Sequence, residues 1–219
     1  MTLFRLDSSI RRDGSVSREV ADSLERAWTA EHPGGTVVRR DLGADPLPSD
    51  AWAHAASGQH LPEDQRSPEQ RQALALAAEL AGEIVDADAA VIAVPLYNFG
   101  ISQHVKTWID LLLTDPRLAP GSGNTPLAGR PVTLVLVRGG GYGPGTPREG
   151  WDHATPYLQR IFGDVFHADV SVVECELTLA DVTPAMAELR ETAATLRVRA
   201  REHAAETGRA HALRIVAAA

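Results

Sequence analysis

Apolar residues along the chain follow two alternating rhythms. Short runs rich in small and β-branched residues fall at 2–6, 36–40, 89–94, 131–137 and 170–173. Such runs suit strands of a parallel sheet covered on both faces. Between them the spacing lengthens to three or four residues. Val16, Val20, Leu24, Ala27 and Trp28 form one stripe, with Arg18, Glu19, Asp22, Glu25 and Arg26 opposite, which predicts a helix closed by His32-Pro33-Gly34-Gly35. Ile101, Val105, Trp108, Ile109 and Leu112 repeat the pattern behind the third strand. Ser67-Pro68-Glu69-Gln70 is a helix start: a Ser N-cap, Pro at the first helical position and Gln at the third. Its buried stripe would be Leu74, Ala77, Leu80, Ala81 and Ile84. Further helices are predicted over about 152–166 and from Thr183-Pro184 onward. Residues 49–66 read as an irregular excursion carrying Trp52 and His54, and 114–130 as a Pro- and Gly-rich loop. Residues 208–219 extend past the last predicted helix as a C-terminal tail, leaving residues 1–207 as one domain.

Five strands alternating with five helical patterns predict a doubly wound parallel α/β sheet with helices on both faces. In that architecture ligands bind beyond the carboxyl ends of the strands. Three loops there carry chemistry. The first holds Ser8, Ser9, Ser15 and Ser17 ahead of a helix, where free N–H groups and hydroxyls suit a phosphate, although Ser15 could equally be a simple cap. The second, after the third strand, is Pro95-Leu96-Tyr97-Asn98-Phe99-Gly100, with an amide set between two aromatics. The third, Arg138-Gly139-Gly140-Gly141-Tyr142, has backbone bare enough for a flat ring to approach, or is a plain flexible turn.

Other chemistries fall away. No Gly-x-x-x-x-Gly-Lys-Ser/Thr follows the first strand, and Pro144 and Pro147 prevent a helix from opening directly behind Gly139-x-Gly141, which argues against a P-loop and a Rossmann fingerprint. The only cysteine is Cys175, which excludes an internal disulfide, and no histidine pair has metal-ligand spacing, so no metal is expected. A net charge of −8 argues against nucleic acid as a main partner. No apolar stretch reaches the ~18 residues of a membrane helix, and the early Arg5 and Asp7 do not suit a secretory signal, so a cytoplasmic protein is expected.

Ser8-Ser9-Ile10 with Ser15-Val16-Ser17, Pro95-Leu96-Tyr97-Asn98-Phe99 with Ile101-Ser102, Arg138-Gly139-Gly140 and Thr155-Pro156-Tyr157-Leu158 carry a likeness to a known family. Over roughly residues 3–200 the chain resembles the FMN-dependent NAD(P)H:quinone oxidoreductases and azoreductases of flavodoxin-like fold. The resemblance implies a five-stranded sheet of that type. It also implies FMN as cofactor, with Ser9, Ser15, Val16 and Ser17 at its phosphate, and Pro95, Leu96, Tyr97, Asn98, Phe99, Val137, Arg138, Gly139 and Gly140 along its ring. NADH or NADPH would be co-substrate, and a quinone, azo or nitro aromatic the acceptor, in two successive half-reactions. A homodimer with its sites at the interface is implied as well. The flavin would do the redox chemistry, leaving the protein to position its substrates. Asn98, Tyr142 and Trp52 are candidates for the substrate pocket. Val137 stands where many relatives carry Ser, Tyr142 where they carry a nearby His, and 115–125 lacks their Phe-Arg-Tyr segment, so a different pocket roof is expected. A tailoring enzyme for one metabolite and a flavodoxin-like electron carrier remain alternative readings.

Overall fold

The computed structural model describes residues 1–218, with the side chains of residues 1–214. Five strands, β1 (Thr2–Asp7), β2 (Thr36–Asp41), β3 (Ala89–Pro95), β4 (Pro131–Val137) and β5 (Asp169–Cys175), form one parallel sheet in the order β2-β1-β3-β4-β5. The crossover puts β1 between β2 and β3, which brings the exits of β1, β3 and β4 together at one edge. β3 and β4 are buried at every position, which explains their unbroken apolar runs.

Alternate residues of each strand face opposite layers. Phe4, Leu6, Ile92, Val94, Leu134 and Leu136 pack under α2 (Ala51–Gly58), α3 (Pro68–Val85), α4 (Gln103–Leu112) and α5 (Thr155–Gln159). Trp108 is the centre of that layer, stacked between Phe4 and Phe162 at 6.1 Å from each. Leu3, Val91, Ala93, Val135, Val173 and Cys175 face α1 (Val16–Glu31) and α6 (Arg190–Ala218). Each fully buried Leu or Ile contributes roughly 2 kcal/mol by leaving water.

The predicted start of α3 is realised in full: the Ser67 hydroxyl accepts the Gln70 N–H and the Gln70 side chain accepts the Ser67 N–H. α5 continues as a π-helical turn, Arg160–Val165, within the predicted 152–166 helix. Two expectations are corrected. The excursion at 49–66 contains α2 and a short 3-10 turn, Glu63–Gln65, with Ala51 and Ala55 buried against the core. The segment set apart as a tail from residue 208 is instead the continuation of α6, with His211 and Ala212 buried.

Candidate functional site

A cleft of about 320 Å³ opens at the carboxyl edge of the sheet, where the loops after β1, β3, β4 and β5 meet. One end is polar. β1 stops at Asp7, and Ser8 is strapped sideways by its N–H and hydroxyl, both donating to the Ala93 carbonyl. Ser8 is therefore a fastener, and Ser9 is the first serine to reach the cleft. Ser15 occupies the N-cap of α1, yet its side chain makes no capping bond. Its hydroxyl lies 3.1 Å from that of Ser17, and both residues are buried. The first helical hydrogen bond runs from the Glu19 N–H to the Ser15 carbonyl, so the N–H groups ahead of it emerge from the helix end. Two hydroxyls and a positive helix end make a pocket for an anion.

The middle of the cleft is apolar. Pro95 ends β3, and the Leu96 N–H then reaches the Val137 carbonyl, so this loop leaves the sheet alongside β4. Tyr97 and Gly100 exchange both backbone hydrogen bonds at 3.0 Å, with Asn98 at φ 48° and Phe99 at φ 70° between them. Left-handed backbone at both central residues is the geometry of a type I′ turn. The turn aims the Tyr97 hydroxyl back at the first loop, 3.3 Å from both the Ser9 hydroxyl and the Ile10 nitrogen. Phe99 and Trp151 pack edge to face at 5.4 Å, both exposed, and the His153 N–H donates to the Phe99 carbonyl.

Nine of the predicted cofactor residues come together as cleft walls: Ser9, Ser15, Val16, Ser17, Pro95, Leu96, Tyr97, Val137 and Gly139. Asn98, Phe99, Arg138 and Gly140 stand outside the lining. Arg138 is buried and committed, bonding Asp152, Glu174, Glu176 and the Thr155 hydroxyl. Burial pushes the Asp152 carboxyl up, but Thr155 and Arg138 outweigh it and hold it below its usual range. Arg138 is thus an anchor for the 139–153 loop, with no charge left for the cleft. The bare backbone at Gly139 is taken up by the protein itself, since a Cβ there would lie 2.6 Å from Leu179 Cδ1.

The substrate-pocket candidates are not brought together. Trp52 lies on α2, half exposed, under the Lys106 ammonium at 5.9 Å, and does not line the cleft. Tyr142 donates its N–H to Glu176 and sets its ring beside Arg148, again outside the lining. A fourth wall was missed in the sequence: Thr178, Leu179, Asp181 and Val182 after β5, with Arg197 on α6. The Thr178 and Leu179 N–H groups donate to the Arg138 and Gly139 carbonyls, which extends the β4–β5 pairing into the loops. The rule that pointed to the other loops, that a parallel strand delivers its exit to the site, applied here too. The segment lacks the glycines or aromatics that would have drawn attention. Arg11 and Gly14 also line the polar end.

No histidine or cysteine stands among these walls. Burial pushes the Cys175 thiol up to about 11, so it is a packing residue rather than a nucleophile. Among the described residues no cluster of metal-ligating side chains occurs. The cleft can hold and orient an anionic, flat molecule, and brings no nucleophile–base pair of its own.

Residues 1–200 match a family described as flavodoxin-like fold. An FMN-dependent NADH:quinone oxidoreductase of Parafrankia sp. (strain EAN1pec) is 41% identical over 186 residues, covering 84% of this chain and 88% of that one. A protein of the same name from Kineococcus radiotolerans is 40% identical over 194 residues, 88% of this chain and 90% of its own. Among solved structures, azoreductase from Bacillus anthracis str. Sterne has a TM-score of 0.75 at 22% identity, covering 95% of this chain and 99% of that one. An FMN-dependent NADH-azoreductase from Bacillus anthracis str. Ames Ancestor, in complex with FMN, has a TM-score of 0.70 at 19% identity over 94% and 98% of the two chains. At those identities the two structures speak for the fold alone. The chain therefore belongs to the flavodoxin-like fold family, and within it to the FMN-dependent NADH:quinone oxidoreductases.

Proposed function

We propose that this chain is an oxidoreductase that holds FMN in the cleft and passes two electrons from NADH to a quinone- or azo-type acceptor in two successive half-reactions. The observation that carries the reading is the buried Ser15–Ser17 hydroxyl pair at the open end of α1, left without a capping bond and adjoining an apolar slot. That arrangement fits a phosphate joined to a flat ring. When bound, FMN supplies the capacity to accept two electrons from a nicotinamide and to donate them to an acceptor.

The chain's own residues bind and orient. Ser9, Ser15 and Ser17, with the N–H groups opening α1, would hold the phosphate. Tyr97 spends its hydroxyl tying the two loops together, which fixes the distance between the polar end and the apolar slot. Pro95, Leu96, Val137 and Leu179 exclude water from one side of that slot. With no histidine or cysteine in the walls and no nucleophile–base pair, turnover rests on placing nicotinamide and acceptor in turn over the same ring face.

A homodimer completes this reading. The cleft volume is at the low end of the ~300–1,000 Å³ that enclosed ligand sites occupy, and Phe99, on the turn beyond Tyr97, and Trp151 stand exposed outside the lining. A second copy laid over these aromatics and the open side of the cleft would supply a further wall. A cytoplasmic location suits the single buried cysteine and the absence, among the described residues, of any helix long and apolar enough to cross a membrane.

The test is to load the purified apoprotein with FMN, remove the excess and add NADH without oxygen. A retained yellow colour that bleaches is expected, and a colourless protein would overturn the reading. Replacing both hydroxyls, Ser15→Ala with Ser17→Ala, removes two hydrogen bonds to a charged group, about 3 kcal/mol, so FMN should bind on the order of 100-fold more weakly. An unchanged affinity would remove the phosphate from this end of the cleft.

A further inference from the structure

We propose that Arg18, Asp41 and Gly43 act as a positioning clamp that holds the β1–α1 loop from behind, and that this clamp gives the cleft its preference for a phosphorylated flavin over the same flavin without phosphate. The inference rests on the FMN reading above. None of the three residues is in the cleft lining.

Arg18 lies in the first turn of α1, one residue after Ser17, and its side chain is turned away from the cleft. It bonds both oxygens of Asp41 at 2.6 and 2.7 Å. It also donates to the Ser9 carbonyl at 3.1 Å and to the Arg11 carbonyl at 3.3 Å. With Asp41 satisfied and Asp7 at 3.7 Å, the guanidinium is already neutralised, so it is spent on the loop rather than on an anion.

Asp41 closes β2, and its Oδ1 also accepts the N–H groups of Gly43 and Ala44 at 3.0 Å. Burial pushes the Asp41 carboxyl up, but Arg18 and those N–H groups outweigh it and keep it ionised below its usual range. The turn after β2 is therefore rigidly placed. Gly43 is where it touches the first loop: a Cβ there would lie 2.0 Å from the Ser9 carbonyl oxygen and 2.8 Å from its carbon. The φ of Gly43 is not positive, so glycine is required here for room and not for backbone freedom.

The Ser9 carbonyl is thus held between a donor on α1 and bare backbone after β2. From there to Ser15 the loop runs through Gly14, at φ 65°, with Tyr97 its other tie at Ser9 and Ile10. A hydroxyl or N–H set a few tenths of an ångström off its place loses much of a charge-assisted bond. The clamp acts only on the polar end, since the walls of the apolar slot come from β3, β4 and β5.

The experiment is fluorescence titration of the apoprotein with FMN and, separately, with riboflavin, which has the same ring and no phosphate. The unaltered chain should favour FMN. Gly43→Ala should weaken FMN at least tenfold while leaving riboflavin within about twofold, so that the preference collapses. Arg18→Lys keeps the charge and loses the fork that spans Asp41 and two carbonyls, and should shift the same ratio if Gly43→Ala does not fold; the apoprotein melting temperature reports folding of each. A preference unchanged in both variants, or an equal loss for both flavins, overturns the clamp. An unaltered chain that does not distinguish FMN from riboflavin overturns the phosphate assignment itself, and the clamp with it.

Discussion

At φ 70° Phe99 occupies backbone space in which a Cβ crowds the neighbouring carbonyl, and it does so with its ring exposed. The type I′ turn demands that conformation, and glycine is the residue that adopts it without strain, which for other side chains is roughly 1–3 kcal/mol. What Phe99 gains is an edge-to-face pair with Trp151, worth the low end of ~0.5–1.5 kcal/mol in so exposed a place. Strain is the larger quantity. Phe99→Gly should therefore raise the stability of the apoprotein by about 0.5–1 kcal/mol in urea unfolding; a fall would show that the aromatic pair outweighs the strain. The two sides of this balance differ in how far they could be read in the chain. Pro95 and the residues behind it announce a turn at a strand exit. Nothing local announces Trp151, which is brought to Phe99 by an N–H bond from His153 fifty-odd residues away.

Among the elements, α6 departs furthest from expectation. Its 29 residues carry small alanines toward the sheet and charges around most of the circumference, so the apolar stripe that marks other helices is faint. For the same reason α2, made of Ala51-Trp52-Ala53-His54-Ala55-Ala56, could be read as loop: alanine favours helix strongly and signals burial weakly. α6 holds one titrating group against the sheet. His211 is buried with its Nδ1 3.4 Å from the Thr133 hydroxyl, and burial lowers its pKa to about 4. The folded chain keeps this ring neutral while the unfolded chain protonates it near 6.5, so the stabilisation is complete above about 6.5 and is lost as pH falls toward 4. The full loss is roughly 3 kcal/mol. Asp41, Glu25 and Asp152 are held below their usual ranges, so they surrender their contributions only at more acid pH. Urea unfolding at pH 7 and pH 5 should show the loss, and His211→Gln should flatten it; an unchanged slope would place the pH dependence elsewhere.

For the whole molecule, alternation of strand and helix was enough to foresee the parallel sheet, the covered strands and the convergence of three loops. It could not show how far the last helix runs, because its contacts with α1 depend on what sits about 180 residues away. Gly208 packs so closely on α1 that a Cβ would meet the Leu24 carbonyl at 2.4 Å, and the Ala212 carbonyl lies 3.1 Å from His32 Nε2. Ending the chain at residue 207 should uncover Leu24 and Trp28, at a cost of roughly 2–4 kcal/mol, and weaken FMN binding as the Arg197 wall loosens. A shortened chain with unchanged melting temperature and FMN affinity would show that these contacts hold neither the fold nor the cleft together.

The position of α6 also sets an order in time. Synthesis completes the serine loop and α1 within the first 31 residues, but the helix that pairs Arg197 with Glu19 beside that loop is made after every strand. On the ribosome, a growing chain thus exposes the serine end of the cleft long before the wall that faces it exists, and the cleft is complete only once α6 has emerged and docked.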